Sequence, residues 1–293
     1  MSGAVPAGVV VIDKPSGITS HDVVARVRHL AGTRKVGHAG TLDPMATGVL
    51  VVGVDRATRL LGHLTRGEKS YDATLRLGTS TTTDDAEGEL SERLSTEHLR
   101  EDDVRSAAGA FVGAIEQVPS SVSAVKVGGR RAHERVRAGE DVELAARPVF
   151  IHEMLVTDVR REGPWLDVEL SLRCSSGTYV RAIARDLGAA LGVGGHLTKL
   201  RRTAVWPFTL ADAHTVDALA EDLAVLGISE VARRCFPVCD LDSGAARDVG
   251  FGRKLGRDLG AEGPVAMFAP DGAFLALYEQ RGELAAPIAV FAG

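Results

Sequence analysis

The chain has 293 residues, 45% of them hydrophobic, a net charge of −5 and three cysteines. That length supports one large domain and a small one with a sizeable core, and it contains no apolar run near the ~20 residues needed to cross a bilayer. The opening Met1-Ser2-Gly3-Ala4-Val5-Pro6 lacks the basic and apolar blocks of a signal peptide, and the odd number of cysteines lacks metal-ligand spacing, so a reduced, cytoplasmic protein is expected.

In chain order, Gly8 to Ile12 reads as a strand, followed by Asp13-Lys14-Pro15-Ser16-Gly17 and a capping box, Thr19-x-x-Asp22, which opens a helix with Val23, Val24, Val27 and Leu30 on one face. Next comes Gly37-His38-Ala39-Gly40-Thr41-Leu42-Asp43-Pro44-Met45-Ala46-Thr47-Gly48, a single carboxylate among three glycines and a proline, anchored by the apolar strand Val49 to Val54. Glycines allow close backbone approach and positive φ, and Pro44 fixes the chain just after Asp43, so this loop is suited to presenting one reactive acid. Asp55 is expected to cap a short helix through Leu64. Tyr71 to Leu77 alternates as a strand, Thr79 to Gly88 is a polar loop, and Glu97 to Phe111 reads as a helix. Glycine-rich, basic Lys126 to Arg137 looks like an exposed excursion within 119–145.

Strands at Val149 to Val159 and Leu166 to Leu172 precede Ser175-Ser176-Gly177-Thr178-Tyr179-Val180-Arg181 and a helix from Tyr179 to Leu191, on which Arg181 and Arg185 share a face. An acidic helix is expected near 215–227. A boundary at Phe236-Pro237 leaves a short remainder with strands at Val265 to Phe268 and Phe274 to Leu277. This order predicts an α+β fold: a mixed, mainly antiparallel sheet flanked by helices over 1–235, and a small unit with short strands over 236–293.

Charge is segregated along the chain. Residues 173–202 carry Arg173, Arg181, Arg185, Lys199, Arg201 and Arg202 against Asp186, a net of +5, whereas residues 84–103 sum to −7. Such a division predicts a polarised surface that would orient a phosphate backbone.

The Asp43 loop, the Asp13 to Gly17 motif and the Ser175 to Arg181 motif together resemble those of bacterial tRNA pseudouridine synthases of the TruB type, over most of residues 8–209. The resemblance implies isomerisation of the T-loop uridine of tRNA, position 55, to pseudouridine, without cofactor or metal. It implies Asp43 as nucleophile, Arg181 as the cation that keeps it ionised, and Tyr71 as the ring stacked on a flipped-out uracil and placed to help remove the C5 proton. Tyr179 and Leu200 would line the same pocket, and His38 would support the RNA where the base has left. Lys14 and Lys126 complete the implied substrate-binding set, Lys14 more by shaping the pocket than by chemistry. The 119–145 segment would be the loop that closes on the T-arm, with His133 where a tyrosine is usual, and 236–293 would be a small β-barrel-like, PUA-type RNA-binding domain, with a plain structural cap as the alternative. The implied partner is tRNA, with no guide RNA, membrane or obligate protein.

Other readings stay open on the residues alone. These are a non-catalytic RNA-binding or RNA-folding protein using the same cleft, a guide-dependent relative acting within a ribonucleoprotein, and a hydrolase pairing Asp43 with Glu68. A carboxylate could add to C6 of the uracil or to C1′ of the ribose, and the sequence does not choose between them.

Overall fold

The computed structural model describes residues 5–120 and 144–292, with the main chain of two short strands at 126–127 and 130–131. In chain order the first strands are β1 (Gly8–Lys14), β2 (Val36–His38), β3 (Thr47–Val54), β4 (Lys69–Leu77) and β5 (Gly113–Gln117). Two-residue strands β6 (Lys126–Val127) and β7 (Arg130–Arg131) pair with each other. Then follow β8 (Arg147–Glu162), β9 (Trp165–Cys174), β10 (Gly195–Val205), β11 (Phe208–Thr209), β12 (His214–Thr215) and β13 (Leu226–Gly227).

One large sheet runs β12-β1-β3-β10-β4-β9-β8-β5, with β2, β11 and β13 paired at its margins. Its pairings are antiparallel except β1 with β12 and β3 with β10. The mixed, mainly antiparallel α+β architecture is therefore as expected.

Both faces of the β1/β3 region are covered, which explains why these strands are apolar throughout rather than alternating. Val10, Ile12, Leu50 and Val52 join a front core with Val23, Val24 and Val27 of the helix Ser20–Ala31 and with Ile183 and Leu187 of the helix Val180–Ala190. Val9, Val11, Val49 and Val51 face the back, where they meet Ala266, Phe268, Phe274 and Phe291 from the end of the chain. Strand β4 has one covered face, so it alternates: Tyr71, Ala73, Leu75 and Leu77 turn into the front core.

The last four strands, β14 (Val238–Asp240), β15 (Val265–Phe268), β16 (Phe274–Arg281) and β17 (Leu284–Val290), form a separate sheet in that order. Among the described residues it is a four-stranded sheet with the helix Ser243–Gly250 against one face, and it does not close into a barrel. Alternation along β15 divides it between two cores. Val265 and Met267 pack with Leu241, Val249 and Tyr278 of its own module, while Ala266 and Phe268 pack on the large sheet.

Three local expectations are corrected. Asp55 caps nothing: it has φ of 51° at the start of a 3-10 turn, and its carboxylate faces Lys35 Nζ at 3.4 Å. The helix expected over 97–111 spans Glu101–Gly109, its start set by Asp103 accepting from the Arg100 amide at 2.9 Å. The acidic helix near 215–227 shrinks to Ala218–Glu221, because the flanking His214–Thr215 and Leu226–Gly227 pair with the edge of β1. No described helix is long and apolar enough to cross a membrane. All three cysteines are free thiols, and Cys174, which burial pushes up to about 11, lies in the core.

Candidate active site

Asp43 sits on the loop between β2 and β3, at the wall of a cavity of about 280 Å³. Tyr71, Tyr179, Arg181 and Leu200 line the same cavity, with Lys69 and Arg202 below. Four separated stretches of sequence thus converge on one cavity.

The loop is held from several sides. Ser20 Oγ accepts from the Leu42 amide at 2.9 Å and donates to the Leu42 carbonyl at 3.0 Å. The Asp13 to Gly17 motif braces the far side: Lys14 Nζ donates to Pro44 O at 3.2 Å, the Gly17 amide to the same oxygen at 2.9 Å, and Ser16 Oγ to Met45 O at 3.2 Å. From beneath, Arg202 donates to Val49 O at 2.7 Å, Gly40 O at 3.0 Å and Thr41 O at 3.4 Å. Gly48 makes this approach possible. It has φ of 100°, and a Cβ there would lie 2.1 Å from the Arg202 carbonyl, so no other residue fits. Gly37, in contrast, keeps strand geometry in β2.

Arg181 grips Asp43 edge-on, Nε to Oδ2 at 3.1 Å and Nη2 to Oδ1 at 3.4 Å. The Arg181 side chain is 8% exposed and the Asp43 side chain 34%, so the arginine is enclosed while the carboxylate still faces the cavity. Behind Arg181 stands a second carboxylate. Asp85 Oδ2 lies 3.2 Å from Nη1, and the Thr83 carbonyl accepts from the same nitrogen at 3.2 Å. Asp85 is 2% exposed, fixed by Thr83 Oγ1 and by the Glu87 amide at 3.1 Å. An arginine shared between two carboxylates stays charged and cannot swing away. Asp85 lay in what the sequence shows only as a polar Thr/Asp loop. Its signal was the pairing of Asp84 and Asp85 with Arg185 and Arg181, four residues apart on one helix face, Arg185 Nη1 donating to Asp84 at 3.1 Å.

Burial raises the Tyr71 phenol above its ordinary range, opposed by the neighbouring Arg202, so Tyr71 is neutral at pH 7. Tyr179 precedes the helix Val180–Ala190, and burial likewise raises its phenol. Lys14 is fully buried, and its ammonium is committed to the carbonyls of Pro15, Ile18 and Pro44. Desolvation lowers it to about 8. It shapes the loop from inside rather than facing the cavity. Lys69, also lowered to about 8 by burial, donates to Thr65 O and Gly67 O. His38 stands outside the cavity lining, edge-on to His21 at 5.6 Å between ring centroids, and burial holds it below its usual range. The side chain of Lys126 and all of His133 lie outside the described residues, as does most of the 119–145 excursion.

The basic run of 173–202 is less available than its count suggested. Arg173 pairs with Glu68 at 2.6 Å, Arg185 with Asp84 and Asp186, and Arg201 with Asp13 at 2.7 Å, while Arg181 and Arg202 point inward. Lys199 alone of the six is exposed. Glu68, tied to Arg173 and His152, does not line the Asp43 cavity, so no carboxylate pair of the hydrolase kind forms with it.

Comparison with known proteins gives the family. Residues 28–180 match the family described as TruB family pseudouridylate synthase (N terminal domain), residues 181–230 the tRNA pseudouridylate synthase B C-terminal domain, and residues 236–292 tRNA Pseudouridine synthase II, C terminal. The chain is 59% identical over 290 residues to tRNA pseudouridine synthase B of Thermobifida fusca, covering 98% of this chain and 99% of that protein. With the protein of the same name from an Arthrobacter species identity is 55% over 296 residues, 98% of this chain and 97% of the relative. Among solved structures, a chain of a Cbf5-Nop10-Gar1 complex superposes with a TM-score of 0.73 at 26% identity, over 97% of this chain and 84% of that one. The chain belongs to the TruB family of pseudouridylate synthases.

Proposed function

We propose that this protein isomerises a uridine of tRNA to pseudouridine, with position 55 in the T-loop as the target, Asp43 as nucleophile and no guide RNA. One observation carries the reading: in a chain 59% identical to a tRNA pseudouridine synthase B, the Asp43 carboxylate faces a cavity while Arg181 holds both its oxygens.

The reaction breaks the N1–C1′ bond, turns the base, joins C5 to C1′ and moves a proton from C5. Nothing is oxidised and no group leaves the nucleoside. A carboxylate adding to C6 or to C1′ divides the change into easier steps. Arg181 supplies the opposite charge that a carboxylate enclosed beneath bound RNA requires. Leu200 and Tyr179 bound the slot for an extruded base, which must leave its stack to be reached. Tyr71 enters as a neutral phenol, so its hydroxyl accepts a proton from C5 only in step with releasing its own. His38 would support the RNA beside the emptied position.

We read residues 1–235 as the catalytic part and 236–293 as an RNA-contacting module of PUA type. Phe251 of that module is 73% exposed with Arg253 over its ring at 5.6 Å, and Lys254 beside it is exposed, a combination suited to stacking and phosphate contact. Guide independence is supported by the higher identity to the protein named tRNA pseudouridine synthase B than to the chain of the Cbf5-Nop10-Gar1 complex. Incubating the purified protein with one unmodified tRNA transcript and mapping pseudouridine at nucleotide resolution tests enzyme, site and guide independence together. An unmodified position 55 would overturn the reading.

A further inference from the structure

Strand β5 ends in Gln117, a 2% exposed side chain that makes a two-point contact with the main chain of Tyr179. Its Nε2 donates to the Tyr179 carbonyl at 3.0 Å, and its Oε1 accepts from the Tyr179 amide at 2.7 Å. This is the pattern that a neighbouring strand would supply, made here by one side chain. Tyr179 occupies the N-cap position of the helix Val180–Ala190 and makes no side-chain cap of its own. Gln117 therefore fixes the residue that starts the helix, two positions before Arg181.

The next residues reinforce the contact. The Val118 carbonyl accepts from Arg185 Nη2 at 2.8 Å. Fully buried Ser120 donates to the Thr83 carbonyl at 3.0 Å, the same oxygen that accepts from Arg181 Nη1. Residues 117–120 thus bond to the helix on both sides of Arg181 and to the carbonyl behind it. Only a primary amide offers a donor and an acceptor side by side at this reach. Asparagine is one methylene short, and glutamate lacks the donor at neutral pH.

We infer that Gln117 is a positioning residue for the isomerisation, setting where the Tyr179 ring and the Arg181 guanidinium stand relative to Asp43. The inference rests on the function proposed above. A displacement of about 1 Å at a reacting group costs on the order of 100-fold in rate. Gln117 does not line the cavity itself and is bonded to the lining through the Tyr179 main chain, so its loss should leave RNA affinity alone.

The test uses Gln117→Leu, similar in size and without either polar atom, in full-length protein labelled with 3-fluorotyrosine. The chain has three tyrosines, Tyr71, Tyr179 and Tyr278, so three fluorine signals are assignable by Tyr→Phe replacement. The expected result is a single-turnover rate lowered by about 100-fold, unchanged tRNA affinity, and a Tyr179 signal that moves while that of Tyr278 does not. A wild-type rate with an unmoved Tyr179 signal would overturn the inference. So would equal loss of affinity with all three signals displaced, which marks a general folding role. Should the leucine variant not fold, Gln117→Glu keeps shape and acceptor and loses only the donor, and a wild-type rate in it would also overturn the proposal. The Tyr179 signal reports without RNA, so an inactive wild-type protein would sink the proposed function and still leave this inference testable.

Discussion

Two buried arginines flank the Asp43 loop, and they do different things with the same guanidinium. Arg202 lies beneath it and donates to the carbonyls of Gly40, Thr41 and Val49, which carry no net charge and do not titrate. Arg181 lies beside it and meets two carboxylates, one buried and one facing the cavity. The first arrangement determines where the loop is, at any pH. The second sets an opposite charge against the carboxylate that the loop presents. Splitting geometry from charge between two residues means that each can be perturbed without the other.

The largest effect should come from removing the charge that this apparatus serves. Asp43→Asn keeps size and most hydrogen bonds but has no negative oxygen, so single-turnover conversion of a tRNA transcript should fall by several orders of magnitude. Binding of tRNA should persist because phosphate contacts dominate affinity. Turnover within about tenfold of wild type would remove Asp43 from the nucleophile role.

The arginines come next and should separate cleanly. Arg181→Lys retains a cation but loses the edge-on grip, so activity should fall severely with the fold intact by circular dichroism. Arg202→Lys replaces the three nitrogens that each serve a different carbonyl with one and leaves buried acceptors unpaired, each costing about 1–3 kcal/mol, so it should lower thermal stability clearly. The comparison breaks if Arg181→Lys unfolds the protein, or if Arg202→Lys is as stable as wild type.

Asp85→Asn follows. It keeps the contact to Arg181 as a neutral one and leaves a single carboxylate partner, so the rate should drop by less than in Arg181→Lys while tRNA affinity holds. An unchanged rate would make Asp85 a folding residue only. Tyr71 probes the opposite wall. Tyr71→Phe should bind tRNA as wild type and stall in chemistry, whereas Tyr71→Leu should also weaken binding, since base stacking contributes roughly 1–3 kcal/mol. Full activity in Tyr71→Phe would leave the ring as a platform alone.

How far the sequence alone led follows the same division. Strands with one covered face declared themselves by alternation, as β4 did, and the capping box at Thr19 formed as its spacing required. Residues that touch substrate in the resemblance were findable because they sit in recognisable motifs. Among the residues that hold them, Lys14 was legible in its motif, whereas Asp85 and Gln117 were not. Asp85 was hidden in a polar loop because its partner lies 96 positions away in the chain. The basic run of 173–202 misled, since linear charge counts do not record that Arg173, Arg185 and Arg201 find acids at 68, 84 and 13. The open C-terminal sheet could not be anticipated from two short apolar runs. Half of β15 is apolar because it covers the back of the large sheet, not because it closes a barrel.

The smallest effect concerns Lys14, the third cation that reaches this loop. Its ammonium donates to Pro44 O yet is buried, and desolvation lowers it from 10.5 to about 8. Between those two values the unfolded chain holds a proton that the folded chain has released, so stability contributed by this group rises with pH across that window. Below about pH 8 both states are protonated and the contribution is flat. Lys14→Met removes the titration, so the stability of wild type relative to this variant should be constant from pH 6 to about 8 and should climb toward 10.5, read from denaturant midpoints. A relative stability that falls over the upper range would mean that the three carbonyl bonds outweigh the burial and hold the ammonium above its usual value. Lys14 would then belong with Arg202 as a pH-independent brace of the Asp43 loop in the working range.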